Sequence, residues 1–173
     1  TFTLPKEAKG KKVLLLFEGA MSEPQVYLNG KKVGEWAYGY SYFYFDVSQF
    51  IQEGANTVAV KLSNKEFASR WYPGAGLYRK VSVIIKNNES IDQWGQFITT
   101  PFISDAVAKV NIKTKASGEN TRLVTTIFDA EGHKVSAEES SLRFGKEFDQ
   151  NLKVENPKLW SPETPYLYKA VAQ

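Results

Sequence analysis

The sequence predicts an all-β protein made of two consecutive β-sandwich domains. Short apolar runs recur at near-regular spacing along its 173 residues, and turn residues separate them. No stretch of ten or more residues keeps a 3.6-residue period, so no long helix is predicted. Residues 1–86 contain fifteen aromatic residues and have a net charge of +5, whereas residues 87–173 contain nine aromatic residues and have a net charge of −2. The strand pattern breaks at Asn87-Asn88-Glu89-Ser90, so we expect two domains, 1–87 and 88–173.

The first half contains a buried strand and a clear hairpin. Val13–Glu18 is a nearly continuous apolar run, typical of a strand covered on both faces. Asn29-Gly30 is the strongest short-range signal for a β-hairpin, because both residues accept positive φ. The further predicted elements are strands at Gln25–Leu28, Val33–Trp36, Ser41–Val47, Asn56–Ser63 and Tyr78–Lys86, and one helical turn at Ser48–Ile51.

Within the strand at Ser41–Val47, alternation separates two aromatic faces. Phe43 and Phe45 lie on one face, which we expect to be core, and Tyr42 and Tyr44 lie on the other. The Tyr face is either a second packed layer, which we favour, or an aromatic platform for a sugar.

The second half repeats this strand pattern with a less aromatic composition. Short strands with turns between them predict a small sandwich, and a proline-containing loop at Leu159–Tyr168 leads into a last strand. The predicted strands are Ala106–Thr114, Arg122–Phe128, Val135–Leu142 and Phe148–Val154.

Several function classes are excluded by residues that the sequence lacks. It has no cysteine and a single histidine, His133 in a turn, so we expect no disulfide, no metal site and no nucleophilic triad. Lysine and arginine form no cluster typical of nucleic-acid binding, and the longest apolar run is too short to span a membrane. The chain begins at Thr1 rather than Met, so we expect a piece of a longer protein.

One loop, within Ser63–Val81, stands out. It places Arg70, Trp71 and Tyr72 side by side just before the turn Pro73-Gly74-Ala75-Gly76. This arrangement either braces the β core through arginine hydrogen bonds or presents a polar and aromatic surface to a ligand. From the residues alone we favour bracing.

Six segments, in this order, resemble the N-terminal half of glycoside hydrolase family 2, in particular its β-galactosidase and β-glucuronidase-type members. The resemblance covers most of residues 12–86 and returns at the end of the second half. The segments are FEGA (17–20), VYLNGKKVG (26–34), GYSYFYFDVSQFI (39–51), GANTVAVKLSN (54–64), SRWYPGAGLYRKV (69–81) and LWSPETPYLY (159–168).

The resemblance implies a jelly-roll (galactose-binding-like) sandwich over 1–87, with further residues before TFTLP, and an immunoglobulin-like β-sandwich over 88–173. In the family a (β/α)₈ barrel follows and carries the catalytic glutamates, so we expect no catalytic residue here. We read Glu18 and Glu66 as structural residues or as residues that support a neighbouring site residue. The implied parent enzyme is a retaining O-glycosyl hydrolase that cleaves terminal β-linked sugars. This chain would be inactive alone and would support the missing barrel.

The resemblance also implies a substrate-proximal loop. Asn64 and Arg70 would be polar contributors to the sugar pocket, and Trp71 or Tyr72 would form a wall. The alternative is an autonomous carbohydrate-binding module that uses exposed aromatic residues. These would be Trp36, Tyr38, Tyr40 and Tyr42.

The expected partners are a carbohydrate, through the parent enzyme, and the chain's own catalytic barrel. We expect no nucleic-acid or membrane partner, no cofactor in this chain, and a parent that forms homo-oligomers; a metal in the barrel is left open. The absence of cysteine favours a periplasmic or secreted location in a bacterium over the cytoplasm.

Overall fold

The chain folds into two β-rich units, described here from a computed structural model. The units are Thr1–Asn87 and Asn88–Gln173. In the described part of the chain, helical structure is limited to two 3₁₀ turns, Lys6–Ala8 and Ser48–Phe50. The prediction of an all-β fold is confirmed. The structure describes residues 1–67, 74–119, 121–142 and 146–173.

The first unit is an antiparallel sandwich of the jelly-roll type. It contains two three-stranded sheets, with strands counted in chain order. In one sheet, strand two lies between strands five and eight. In the other sheet, strand three lies between strands four and seven. The short first and sixth strands pair with each other. In chain order the strands are β1 (Phe2–Thr3), β2 (Lys12–Phe17), β3 (Gln25–Leu28), β4 (Lys31–Glu35), β5 (Phe43–Asp46), β6 (Ala55–Asn56), β7 (Val58–Lys61) and β8 (Val81–Lys86).

A single apolar cluster fills the space between these two sheets. Phe17 of β2 and Phe43 of β5 stack at its centre, with ring centroids 4.8 Å apart and nearly parallel planes. Phe43 is buried and Phe45 packs against the cluster, as the alternation predicted. The buried members are Val13, Leu15, Phe17, Ala20, Val26, Leu28, Phe43 and Val47.

The predicted hairpin between β3 and β4 is confirmed, and its asparagine also joins distant segments. Asn29 and Gly30 both adopt positive φ, at 52° and 78°, as this turn requires. The Asn29 amide donates to the Phe50 carbonyl at 2.9 Å and to Oδ1 of the fully buried Asn56 at 2.8 Å. Its own Oδ1 accepts from the Thr57 backbone amide at 2.9 Å.

The second unit is an immunoglobulin-like sandwich of two further antiparallel sheets. One has the order β13-β10-β9, and the other has the order β12-β11-β14. The strands are β9 (Ser90–Ile103), β10 (Val107–Ser117), β11 (Thr121–Phe128), β12 (Lys134–Leu142), β13 (Glu147–Glu155) and β14 (Lys169–Ala172).

A polar layer divides the core of this second unit. Ile112 and Leu152 belong to one buried apolar cluster, and Leu123 and Phe148 belong to another. Between the clusters lies Gln150, which is fully buried. Three fully buried polar residues, Thr114, Thr125 and Gln150, occupy this level on β10, β11 and β13.

The structure differs from the sequence prediction mainly at β9. This strand runs for fourteen residues, from Ser90 to Ile103, through a segment that we left unassigned. Two register shifts against β10, together with positive φ at Trp94, interrupt the alternation that predicts strands. The strand predicted at Asn56–Ser63 is also divided, into β6 and β7, and β1 was not predicted.

Candidate functional site

The loop that begins after β7 is fixed at both ends by one dipeptide of the first unit, Met21-Ser22. At the entry, the Ser63 amide donates to the Ser22 carbonyl at 2.9 Å, and Ser22 Oγ donates to the Ser63 carbonyl at 2.6 Å. At the exit, Met21 and Gly76 exchange two backbone hydrogen bonds of 3.0 Å. Both ends of segment 64–75 are therefore held against the same two residues.

The predicted site residues fall on this segment. Asn64 is exposed and directly follows the fixed Ser63. The other three, Arg70, Trp71 and Tyr72, lie outside the described residues, so their roles stay predictions. Glu66, which we read as structural, is an exposed residue of the same segment.

An exposed ion pair lies at the entry to the loop. Lys65 Nζ lies 2.7 Å from Glu23 Oε1, and this hydrogen bond lowers the pKa of Glu23 below its ordinary value. Both side chains face solvent, so the pair contributes little to stability. Beside it is an open pocket of about 330 Å³, which has both charged and apolar walls. Its lining residues are Glu23, Gln25, Lys61, Leu62 and Ser63.

Tyr78 fixes the exit of the loop, a role that we did not predict. Its hydroxyl donates to the Gly39 carbonyl at 2.9 Å, and the Gly39 carbonyl oxygen also accepts from the Ala20 amide at 3.2 Å. A Cβ at Gly19 would lie 2.6 Å from the Tyr78 hydroxyl oxygen, so any larger residue there would force the Tyr78 side chain to move. Gly19 belongs to the FEGA segment noted in the sequence, but the sequence could not show that Tyr78 lies against this glycine.

The four aromatic residues proposed for an autonomous binding module do not form a flat platform. All four are exposed. The rings of Tyr38 and Tyr40 meet edge-on, with an interplanar angle of 63°. Trp36 instead stacks on the core residue Phe43, at 5.8 Å and 15°, and its Nε1 donates to Ser41 Oγ at 2.9 Å. A sugar face would not meet a coplanar row here.

A polar cluster of the second unit lies at the turn between β11 and β12. Tyr166 Oη donates to Glu131 Oε2 at 2.6 Å and accepts from the Ala130 amide at 3.1 Å. The bond from Tyr166 lowers the pKa of the Glu131 carboxyl. Lys158 Nζ lies 4.5 Å from the Tyr166 ring centroid. The cluster attaches the proline-containing loop to the hairpin.

His133 is an exposed residue of the same turn. Its backbone amide donates to Asp129 Oδ1 at 2.7 Å, and its Nδ1 lies 3.2 Å from Asp129 Oδ2. Asp129 therefore closes the turn, which is a structural role. No group of three or more metal-ligating side chains occurs within the described ranges. Nor does any helix there have the length and hydropathy to cross a lipid bilayer.

Comparison with known families gives matches to both units. The model of the glycosyl hydrolases family 2 sugar binding domain matches residues 1–94. A second model, described as glycosyl hydrolases family 2, matches residues 94–173.

Individual relatives agree with the family models. The chain is 34% identical to a β-galactosidase of Bacteroides ovatus, over all of this chain and 22% of that protein. It is 32% identical to a β-galactosidase of Thermoanaerobacter pseudethanolicus, over 96% of this chain and 24% of the relative. The chain thus spans about a quarter or less of the length of these relatives.

Solved structures show the same architecture. A glycosyl hydrolase family 2 member from Bacteroides cellulosilyticus superposes with a TM-score of 0.89 at 30% identity, over 99% of this chain and 23% of that one. A β-glucuronidase of Bacteroides uniformis superposes with a TM-score of 0.84 at 29% identity, again over 99% of this chain and 23% of the other.

Proposed function

Because the chain belongs to glycosyl hydrolases family 2, we propose that it is the non-catalytic N-terminal portion of an enzyme that cleaves terminal β-linked sugars. It supports a catalytic barrel elsewhere in the polypeptide and supplies one loop to the sugar pocket. The relatives named as β-galactosidases and β-glucuronidases support this reaction class. We favour a β-galactosidase-like, retaining enzyme.

The observation that carries the loop proposal is the double attachment of segment 64–75. A residue that orients a sugar must be held in place before the substrate arrives, since ordering it on binding would cost affinity. The hydrogen bonds of Met21 and Ser22 to Gly76 and Ser63 supply that fixed base. Asn64 follows the base directly and has an amide suited to sugar hydroxyls.

The test is Asn64→Ala in the full-length enzyme. We expect kcat/KM for a β-galactoside to fall about tenfold to a hundredfold, which corresponds to a lost hydrogen bond to the substrate. Asn87→Ala, which removes an exposed amide outside the loop, is the matched control and should leave kcat/KM unchanged. Equal kcat/KM for the Asn64 variant and the control, on both β-galactosides and β-glucuronides, would mean that Asn64 does not contribute to the sugar pocket.

Arg70 is tested in the same way. Arg70→Ala should lower kcat/KM by a similar factor, while Arg122→Ala, at an exposed position on β11, should not. A loss of thermal stability with unchanged kcat/KM would instead assign Arg70 to bracing the loop.

A second candidate is an autonomous carbohydrate-binding module, which the exposure of Trp36, Tyr38, Tyr40 and Tyr42 favours. The edge-on geometry of two of these rings argues against it. Calorimetry of this chain with galactose, glucuronic acid, mannose and oligosaccharides separates the two functions. Saturable binding that is lost in Trp36→Ala but kept in Arg70→Ala would establish the module.

We also propose that the parent enzyme is periplasmic or secreted in a bacterium, and that it forms homo-oligomers. The absence of cysteine fits an oxidising compartment. Cell fractionation and light scattering of the full-length enzyme test these two proposals. Recovery in the cytoplasmic fraction would contradict the proposed location. A monomeric mass would contradict the proposed homo-oligomer.

A further inference from the structure

The turn between β3 and β4 contains a reactive residue pair, Asn29-Gly30, that the proposed function does not use. It is the only Asn-Gly pair in the sequence. In such a pair the backbone nitrogen of the second residue can attack the side-chain carbonyl carbon of the asparagine. Glycine favours this attack, because it has no side chain to obstruct the approach and leaves the backbone free to bend. The turn is therefore a candidate site for loss of the asparagine amide.

Three hydrogen bonds hold the half-buried Asn29 side chain in the folded state. Nδ2 donates to the Phe50 carbonyl at 2.9 Å and to Asn56 Oδ1 at 2.8 Å, and Oδ1 accepts from the Thr57 amide at 2.9 Å. The Thr57 amide needs an acceptor and the Phe50 carbonyl needs a donor, so only this orientation of the Asn29 amide satisfies both. Loss of Nδ2 would break two of these bonds. The folded state therefore opposes the reaction.

Asn56, which accepts a hydrogen bond from Asn29, cannot become a donor to position 29. It is fully buried. Its Nδ2 donates to the Gln52 and Gly54 carbonyls at 3.0 and 3.1 Å, and its Oδ1 also accepts from the Gln52 amide at 3.0 Å. Turning the Asn56 amide over would break all of these bonds. Position 29 must therefore present a donor, which asparagine supplies and an ionised aspartate does not.

We propose that Asn29 is a site of spontaneous deamidation, protected while the first unit is folded and reactive when this unit unfolds. The Gly30 nitrogen forms a bond to Asn29 Cγ, and the Cγ–Nδ2 bond breaks. Nδ2 leaves as ammonia, taking up the proton of the Gly30 amide. Water then opens the succinimide ring to aspartate or isoaspartate, and nothing is oxidised or reduced. Chemical change of an unfolded chain makes its unfolding irreversible.

The product cannot rebuild the native contacts of Asn29. An aspartate there brings a carboxylate oxygen against the Phe50 carbonyl and Asn56 Oδ1, where the amide donated two hydrogen bonds. Partly buried acceptors that face each other without a donor destabilise the folded state. Isoaspartate has the same carboxylate chemistry and also lengthens the backbone of a tight turn. A chain that is modified while unfolded therefore regains a less stable first unit.

This chemistry depends only on contacts within the first unit and not on the substrate of the full-length enzyme. Peptide mass spectrometry of that enzyme tests the site and its protection. The enzyme is held at mildly alkaline pH in native buffer or in urea, and the conversion of each asparagine is followed over time. We expect Asn29 to convert about tenfold faster or more in urea, because the reaction needs the opened chain. Equal rates in the two solutions would overturn protection by the fold.

An asparagine in the same molecule provides the matched control for the site. Asn111 is followed by Ile112, whose branched Cβ obstructs the attacking nitrogen. In urea, where neither side chain is held by the fold, Asn111 should convert roughly tenfold more slowly than Asn29. Similar rates for the two asparagines in urea would overturn the assignment of Asn29 as the reactive site.

A variant that carries the aspartate product tests the consequence. Asn29→Asp should lower the Tm of the full-length enzyme at neutral pH, because it places a carboxylate against the Phe50 carbonyl and Asn56 Oδ1. Asn87→Asp, the same change at an exposed position, is the control and should leave Tm nearly unchanged. Equal Tm values for the two variants would contradict the proposed damage to the first unit.

Discussion

In the first unit Phe17 stacks on Phe43 within one continuous apolar cluster, whereas in the second unit the buried Gln150 lies between two smaller clusters. Both units are antiparallel sandwiches with a similar number of residues. The first is stabilised mainly by apolar packing, which has no preferred direction. The second places directional hydrogen bonds in the middle of its core. Similar strand patterns in sequence therefore lead to differently organised interiors.

The polar layer of the second unit joins its two sheets. Thr125 Oγ1 of β11 donates to Gln150 Oε1 of β13 at 2.5 Å, and Gln150 Nε2 donates to the Glu138 carbonyl of β12 at 3.1 Å. Because hydrogen bonds need fixed geometry, this layer selects one alignment of the sheets. Thr114 Oγ1, at the same level, has no hydrogen-bond partner among the described residues.

The largest effect should come from the apolar core. Phe17→Ala should lower the free energy of unfolding of the first unit by about 3–5 kcal/mol, because it removes a fully buried ring and leaves a cavity. Urea unfolding of the chain measures this change. Leu167→Ala, at an exposed position, should cost far less. Similar losses for both changes would contradict the assignment of Phe17 to the core.

The next change tests the polar layer. Gln150→Leu should cost about 1–3 kcal/mol, because it leaves the buried Thr125 hydroxyl and Glu138 carbonyl without their partner. Adding Thr125→Val removes one of these unsatisfied groups and should recover part of the loss. A double-mutant cycle by urea unfolding measures the coupling. Purely additive changes would mean that the two side chains do not depend on each other.

A smaller effect is expected at the base of the functional loop. Gly19→Ala places a methyl group against Tyr78 and should cost about 1–3 kcal/mol through overpacking. In the full-length enzyme it should also lower kcat/KM, since Tyr78 holds the exit of the loop. Gly54→Ala is the control for added strain alone, because Gly54 has positive φ and open space around it. Lost stability with unchanged kcat/KM would mean that the contact of Tyr78 with Gly19 does not affect the sugar pocket.

The smallest effect concerns the exposed cluster around Glu131. The hydrogen bond from Tyr166 lowers the pKa of Glu131 in the folded state. The stabilisation that this bond gives the folded state is therefore fully present above the ordinary glutamate pKa. It is lost as the pH falls through the pKa of Glu131 in the folded state. Glu131→Gln should therefore lower Tm slightly at pH 7 and not at all at low pH. Glu163→Gln, at another exposed carboxylate, is the control. A Tm difference that grows on acidification would contradict this sign.

The candidate site was predictable only in part. Sequence located the loop, because a proline and two glycines mark its turn and Asn64 ends a resembling segment. It did not reveal that Met21 and Ser22 fix both loop ends, since these residues lie some forty to fifty-five positions away in the chain. Backbone hydrogen bonds over such separations leave no local residue pattern.

The sequence by itself determined the β class, the Asn29-Gly30 hairpin and most of the strands, because alternation and turn chemistry act between neighbouring residues. Only the tertiary structure decided the course of β9, the polar layer around Gln150 and the contact of Tyr78 with Gly19. Each of these depends on residues brought together from distant parts of the chain. Where pairing across a sheet or between sheets overrides local alternation, only the fold reveals the arrangement.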